Sequence, residues 1–378
     1  MDEIKNFFSD SELNKIYEIQ KRHIVHPLKE LLLYKEDSIC NNNHYNNVMR
    51  NTQNAFKYLL RENPQWLVKE KKRFIKSDFK DSSSLLSEIR AYKNLHIVNP
   101  KTFTQDSGSD FYLEYKNGDK KTLRINVEVI CIDINEEERI KWENFNKNQS
   151  EIIDIISIIP FGLPKSNLDL KSSINEIAPT ISENAIYKIR SKKMDKDEKQ
   201  LACKKLSILC VDLQANPIRN IINEDWAKPI FLYHNKFVQS GILWYAFYGK
   251  KGDKLYEDEM YYKTQREMQI NGRFNKKTKT KLDMVIFSLP TKTIAFENPY
   301  AKQKFPLLFY FDLLQLYGFD YHLSMLRYPA NTLLKYIHCE RKKCNQLYMK
   351  IEKALTDEKE YYKNLFSDYF KRILKFFK

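Results

Sequence analysis

The segment "SGSDFYLEYKNGDKKTLRINVEVI", residues 107–130, predicts the central element of the fold, a β-hairpin. Alternating apolar and polar side chains mark two strands, and Asn117-Gly118 is a dipeptide that favours a tight turn with left-handed backbone. For a turn centred there, the numbers of two paired residues sum to about 235 to 237, so Asp110 falls opposite residues 125–127 and next to Glu128. The predicted hairpin therefore brings two carboxylates together.

The second strand of this hairpin carries an acid among apolar residues, in "INVEVICI" (125–132). Alternation along the strand places Glu128 on the same face as Arg124 and Ile130. A buried, unpaired carboxylate costs several kcal/mol, so Glu128 should be paired, protonated or bound to a cation. Two interpretations stay open: Arg124 forms a salt bridge with Glu128, or Asp110 and Glu128 share a divalent metal ion. Two carboxylates with a backbone carbonyl and waters form the oxygen shell that Mg²⁺ prefers.

A helix is predicted immediately before the hairpin, in "SSSLLSEIRAYKNLHI" (82–97). The three serines are typical N-terminal capping residues, and one apolar stripe runs along the helix. Glu88 lies beside that stripe, which is formed by Leu85, Leu86, Ile89 and Tyr92. A third acid on an adjacent helix could hold a second ion or orient an attacking water, and Glu88 is the candidate.

These three segments resemble a known family. "SEIRAY" (87–92), "SGSDF" (107–111) and "NVEVI" (126–130) are similar to the helix acid, the first-strand Asp and the second-strand Glu of the PD-(D/E)xK, or restriction-endonuclease-like, nucleases. The resemblance covers roughly residues 82–215. It implies a central mixed sheet flanked by helices and hydrolysis of nucleic acid that depends on Mg²⁺ or Mn²⁺. It also implies that Glu88, Asp110 and Glu128 are catalytic and that Asp110 and Glu128 hold the metal.

One position departs from the family pattern. The family usually places a lysine two residues after the second-strand acid, where this chain has Ile130. In some members the lysine comes from a helix that packs on the sheet, and the predicted helix "YKIRSKKMDKDEKQL" (187–201) offers Lys188, Lys192, Lys196 and Lys199 near one face. We expect Lys192 to be the replacement, although a row of lysines is also typical of a solvated face.

The rest of the chain predicts three regions. Residues 1–80 are helical in pattern, residues 81–300 form the nuclease core with an insertion near 135–180, and residues 301–378 are helical and basic. Further strands are predicted in "LSILCVDL" (206–213), "GILWYAFYG" (241–249), "MVIFSLP" (284–290) and "TIAFENP" (293–299). The predicted class is α/β, a restriction-endonuclease-like core with a central mixed β-sheet flanked by helices and helical extensions at both ends.

Composition narrows the function. The chain has 64 Lys and Arg against 49 Asp and Glu, a formal net charge of +15, which suits a nucleic-acid partner. No apolar run reaches the roughly 18 residues of a membrane span. The scattered cysteines and the start of the chain, which lacks a secretory pattern, predict a cytoplasmic protein.

We therefore expect a metal-dependent endonuclease whose partner is DNA rather than RNA, with a role in restriction or phage defence by analogy of fold. Cutting both strands would favour a homodimer, and a defence system would supply a partner protein. An RNase with the same metal chemistry is one alternative. The other is a catalytically inactive nucleic-acid-binding module of the same fold, for which Ile130 is the main observation.

Overall fold

The structure is a computed structural model that describes residues 2–21, 24–35, 43–76, 79–104, 109–117, 121–132, 206–215, 219, 227–228, 230–233, 236–239, 241–256, 265–268, 271–278, 280–321 and 323–326. Its elements follow in chain order: α1 (Asp2–Asn6), α2 (Asp10–Glu18), β1 (Gln20–Lys21), β2 (Ile24–Val25), α3 (Pro27–Leu33), α4 (Asn43–Glu62), α5 (Pro64–Glu70), α6 (Lys72–Ile75), α7 (Phe79–Val98), β3 (Thr102–Thr104), β4 (Phe111–Asn117), β5 (Lys121–Cys131), β6 (Leu206–Asp212), β7 (Ile230–Tyr233), β8 (Lys236–Gln239), α8 (Ile242–Tyr248), β9 (Lys254–Tyr256), β10 (Gln265–Glu267), β11 (Met284–Ser288), β12 (Thr293–Glu297) and α9 (Leu307–Leu313).

Six of these strands form one mixed sheet in the order β12-β11-β6-β5-β4-β3. Strands β3, β4 and β5 are antiparallel neighbours, whereas β5, β6 and β11 run parallel and β12 closes the far edge antiparallel. Parallel neighbours need a crossover connection and are usually covered on both faces by helices. The described core is thus an α/β structure with a mixed sheet and flanking helices, as the sequence predicts.

Both faces of the sheet centre are buried. Every residue of β6 is buried, which explains why "LSILCVD" reads as a continuous apolar run rather than as an alternating strand. On one face, Val127 and Ile286 share a hydrophobic core with Ile89 of α7. On the other face, Phe287 packs edge-on against Phe247 of α8, with ring centroids 5.5 Å apart. Helix α7 therefore covers the face that carries Val127.

The hairpin register differs from the predicted one. Phe111 pairs with Val127 and Asn117 with Lys121, so paired numbers sum to 238 and three residues separate the strand ends. The predicted sum of about 235 to 237 assumed a shorter turn at Asn117-Gly118. The ladder ends at the pair Phe111 and Val127, so Asp110 and Glu128 are the next residues beyond that pair. Another strand, β3, also precedes β4, so Asp110 precedes the second strand of the antiparallel meander and not the first.

Two other predicted elements require correction. Helix α7 begins at Phe79, so Ser82 lies inside the helix, fully buried, and does not cap it. The predicted apolar stripe of α7 is buried as expected. The run 241–249 is a helix, α8, and not a strand. Its aromatic side chains are all buried, so apolar and polar residues do not alternate with a period that would distinguish a helix from a strand.

The strands predicted in 206–213, 284–290 and 293–299 are confirmed as β6, β11 and β12. The predicted insertion near 135–180, the helix with Lys192 and the chain from 327 to 378 lie outside the described residues. None of the helices that the structure describes has the length and apolar character needed to cross a membrane.

Candidate active site

Asp110 and Glu128 meet where β4 begins. Asp110 lies in a bend just before Phe111, and the hydroxyl of the buried Ser109 donates to the Phe111 carbonyl across it at 3.1 Å. The backbone N–H of Asp110 donates to Glu128 Oε2 at 3.1 Å, and Asp110 Oδ2 accepts the N–H of Val129 at 2.8 Å. These reciprocal bonds hold the two carboxyl groups together at the end of the β4–β5 ladder.

Burial makes it costly for both of these acids to be charged. The pKa of Asp110 is raised, chiefly because burial disfavours its charged form. Hydrogen bonds from the Val129 N–H and with the Glu128 side chain lower this pKa in part, as does the positive charge of Arg73. Glu128 is itself only 7% exposed. Two adjoining buried carboxyls are most stable when a proton or a cation lies between them.

Glu88 lies near this pair but has a partner of its own. Arg73 of α6 binds both of its carboxylate oxygens, with Nη1 2.7 Å from Oε2 and Nη2 2.6 Å from Oε1. Nη1 of Arg73 also reaches Glu70 Oε2, at 3.3 Å. Burial raises the pKa of Glu88, Arg73 lowers it and the charge of Asp110 raises it, so these groups act on one another electrostatically.

The site thus contains two residues that sequence reasoning missed, Arg73 and Glu70. Arg73 lies fifteen residues before Glu88, and the two side chains meet because α6 packs against α7 after a short connection. A lysine- and arginine-rich segment such as "KEKKRFIK" (69–76) is ordinarily part of a solvated surface. No periodicity within the segment indicates that one of its cations turns inward.

The alternative partner of Glu128, Arg124, stands further back on β5. Its guanidinium carbon lies 3.9 Å from the centre of the Tyr112 ring, and its Nε donates to Asn126 Oδ1 at 3.4 Å. Arg124 is four residues from Glu128, about 13 Å along an extended strand. The guanidinium whose charge lowers the pKa of Asp110 is that of Arg73.

The donor set fits one hard divalent ion. Mg²⁺ is usually bound by one or two carboxylates and keeps several waters, and Asp110 and Glu128 offer two adjacent carboxylates. Within the described ranges, no group of three or more His, Cys, Asp and Glu side chains is arranged to hold a metal ion. Arg73 binds both carboxylate oxygens of Glu88, so the described site offers a metal ion two protein ligands, Asp110 and Glu128, and not three.

Ile130, where the family pattern has its lysine, is half-buried and pairs with Val211 of β6. It brings no charge to the acids. Lys192, the predicted replacement, lies outside the described residues.

No family model matches the chain, and comparison with the curated proteins and with the solved structures also gives no match. Any function assigned to this site therefore depends on the chemistry of its own residues.

Proposed function

We propose that this protein is a nuclease of the restriction-endonuclease-like type that hydrolyses DNA phosphodiester bonds with the help of Mg²⁺ or Mn²⁺. The single observation that carries the proposal is the contact between Asp110 and Glu128 at the end of the β4–β5 ladder. The net charge of +15 supports a polyanionic substrate. A mixed sheet with helices on both faces agrees with the resemblance of the three sequence segments.

In this proposal Asp110 and Glu128 hold the metal ion. When bound, a divalent ion polarises a phosphate oxygen and lowers the pKa of an attacking water. The backbone bonds of Asp110 and Val129 fix the two carboxyl groups before any ligand arrives, so little conformational entropy is lost when they bind. Glu88 acts on the site through Arg73, which it holds at two points.

A nucleic-acid-binding module without hydrolysis is the second candidate. Two observations favour it: the uncharged Ile130 beside the acids, and the engagement of Glu88 with Arg73. This candidate predicts salt-dependent binding of DNA with no turnover.

Cleavage of supercoiled plasmid DNA with Mg²⁺ tests the proposal. We expect the wild type to cut and both Asp110→Asn and Glu128→Gln to be inactive, while Asp283→Asn, a change at a buried acid away from the site, retains activity. Binding without cleavage in the wild type would favour the second candidate. Full activity of both site variants would refute the assignment of these acids. Parallel digestion of RNA would distinguish a deoxyribonuclease from a ribonuclease.

A further inference from the structure

Arg73 has one edge of its guanidinium group available for a ligand. A guanidinium carries five N–H donors in a fixed planar fork. Three of them are used, two on Glu88 and one on Glu70. Nη1 and Nη2 face Glu88 end-on, and the second hydrogen of Nη1 turns towards Glu70. The two remaining donors are Nε–H and the second Nη2–H, which lie side by side and form a second complete two-point edge.

The Arg73 side chain is partly exposed to solvent. The Arg73 side chain is 24% exposed, whereas Glu88 is 13% exposed. The Nε atom of Arg73 has no hydrogen-bond partner among the described residues, and it is not fully buried. Arg219 provides the contrast, since it also binds a glutamate, Glu30, at two points, but its Nε is buried and unpartnered. The Arg73 side chain is thus more exposed than that of Arg219, which is 5% exposed.

The charge around Arg73 indicates which ligand it would take. An edge of two parallel donors matches two oxygens of one phosphate or carboxylate group. Arg73 binds Glu70 and Glu88 and acts electrostatically on Asp110, which adjoins Glu128, so an anion becomes acceptable only when the Asp110 and Glu128 pair is neutralised. A divalent ion between those acids would do so, and its presence should strengthen the binding of the anion.

We propose that Arg73 binds a backbone phosphate of the nucleic acid through its Nε and Nη2 edge, while Glu88 holds the opposite edge and serves as its positioning residue. This role rests on the proposed function and specifies how the substrate is held. It also supplies a positive charge beside the acids in a site where Ile130 carries none. Arginine is suited to the task because its charge is permanent and its fork is already oriented by Glu88.

The test measures binding rather than cleavage. Fluorescence anisotropy of a labelled 20-base-pair DNA duplex gives the Kd and its salt dependence, first in EDTA and then with Ca²⁺, with gels to verify that the duplex is intact. Arg73→Lys keeps the charge but removes the fork, so we expect binding about tenfold weaker with a nearly unchanged salt slope. The double variant Arg73→Gln with Glu88→Gln should also lower the salt slope by about 1.

Lys292→Gln is the control that removes one charge elsewhere. Lys292 pairs with Asp320 next to β12, the far edge of the sheet, about 14 Å of strand spacing from β5. The Lys292→Gln variant should bind the DNA duplex like the wild type.

The outcomes separate the two claims. Binding of Arg73→Lys and of the double variant within twofold of the wild type would overturn the role of Arg73 while the nuclease could still stand. If Arg73→Lys fails to fold, the double variant decides, because it leaves no unpaired carboxylate at position 88. A wild type that neither binds nor cuts nucleic acid would refute the proposed function together with this role.

Discussion

Replacing Asp110 by Asn should make the metal-free protein more stable and at the same time remove its stabilisation by Mg²⁺. The carboxyls of Asp110 and Glu128 are in contact in a buried position. Two unit charges roughly 4 Å apart repel by about 4 kcal/mol at an effective dielectric constant of 20. A proton shared between the acids would avoid part of this cost, so a gain of about 1 kcal/mol in the free energy of unfolding is the expected effect of the neutral side chain.

The Asn substitution changes little else at this position. Its Oδ1 can still accept the Val129 N–H, and its amide can donate to Glu128. A divalent ion that binds only the folded wild type adds RT ln(1 + [Mg²⁺]/Kd), about 2.7 kcal/mol at a concentration one hundred times the Kd. Asp110→Asn removes one of two ligands, so most of this increment should disappear. Urea denaturation with and without Mg²⁺ measures both effects.

Asp283→Asn is the matched control for this experiment. Asp283 is another buried acid, whose carboxylate accepts the backbone N–H of Ser207 at 2.9 Å. It should change the stability without changing the Mg²⁺ increment. If Asp110→Asn retains the wild-type increment, or if Mg²⁺ stabilises none of the three proteins, Asp110 does not bind the ion.

Other predictions concern the stability of the core. Burial raises the pKa of Asp283 to about 6, so its contribution to stability is greatest below the unfolded value near 4 and is lost as the pH rises through about 6. Asp283→Asn should therefore be more stable than the wild type at pH 7 and lose that advantage at pH 4. Urea denaturation that gives the same difference in unfolding free energy between variant and wild type at both pH values would contradict this. The buried ion pair of Arg90 and Asp212, 2.9 Å between Nε and Oδ2, predicts that Asp212→Ala costs about 3 to 5 kcal/mol because Arg90 is left unpaired. A loss below 1 kcal/mol in urea denaturation would show that another group compensates Arg90. Gly318 has a φ of +59° and its Cβ would lie 2.4 Å from the Thr291 carbonyl oxygen, so Gly318→Ala should lower the unfolding free energy by more than 1 kcal/mol. An unchanged thermal midpoint would contradict the strain.

The sequence was sufficient to predict that Asp110 and Glu128 are neighbours, because alternation and one turn constrain a hairpin strongly. It did not give the register, since Asn117-Gly118 suggested a shorter connection than the three residues that follow Asn117. The observed ladder ends at the pair Phe111 and Val127, and Asp110 and Glu128 are the next residues beyond that pair.

Features that depend on packing between distant segments were less accessible. Helix α8 is buried on all sides, so an aromatic run such as "ILWYAFY" is as compatible with a strand as with a helix. The contact of Arg73 with Glu88 depends on how α6 meets α7, which no local pattern specifies. Ile130 leaves a gap in the family pattern, and Arg73, a cation near the acids among the described residues, comes from an earlier helix. The prediction for Lys192 stays a prediction, because Lys192 lies outside the described residues.

The proposed function requires a divalent cation between Asp110 and Glu128, and a crystal soaked in Mn²⁺ shows whether one binds there. We predict an anomalous scattering peak within direct coordination distance, about 2 to 2.5 Å, of a carboxylate oxygen from each residue. Manganese bound elsewhere, or Asp110 and Glu128 still joined to each other with no ion at saturating Mn²⁺, would exclude these two acids as the metal site.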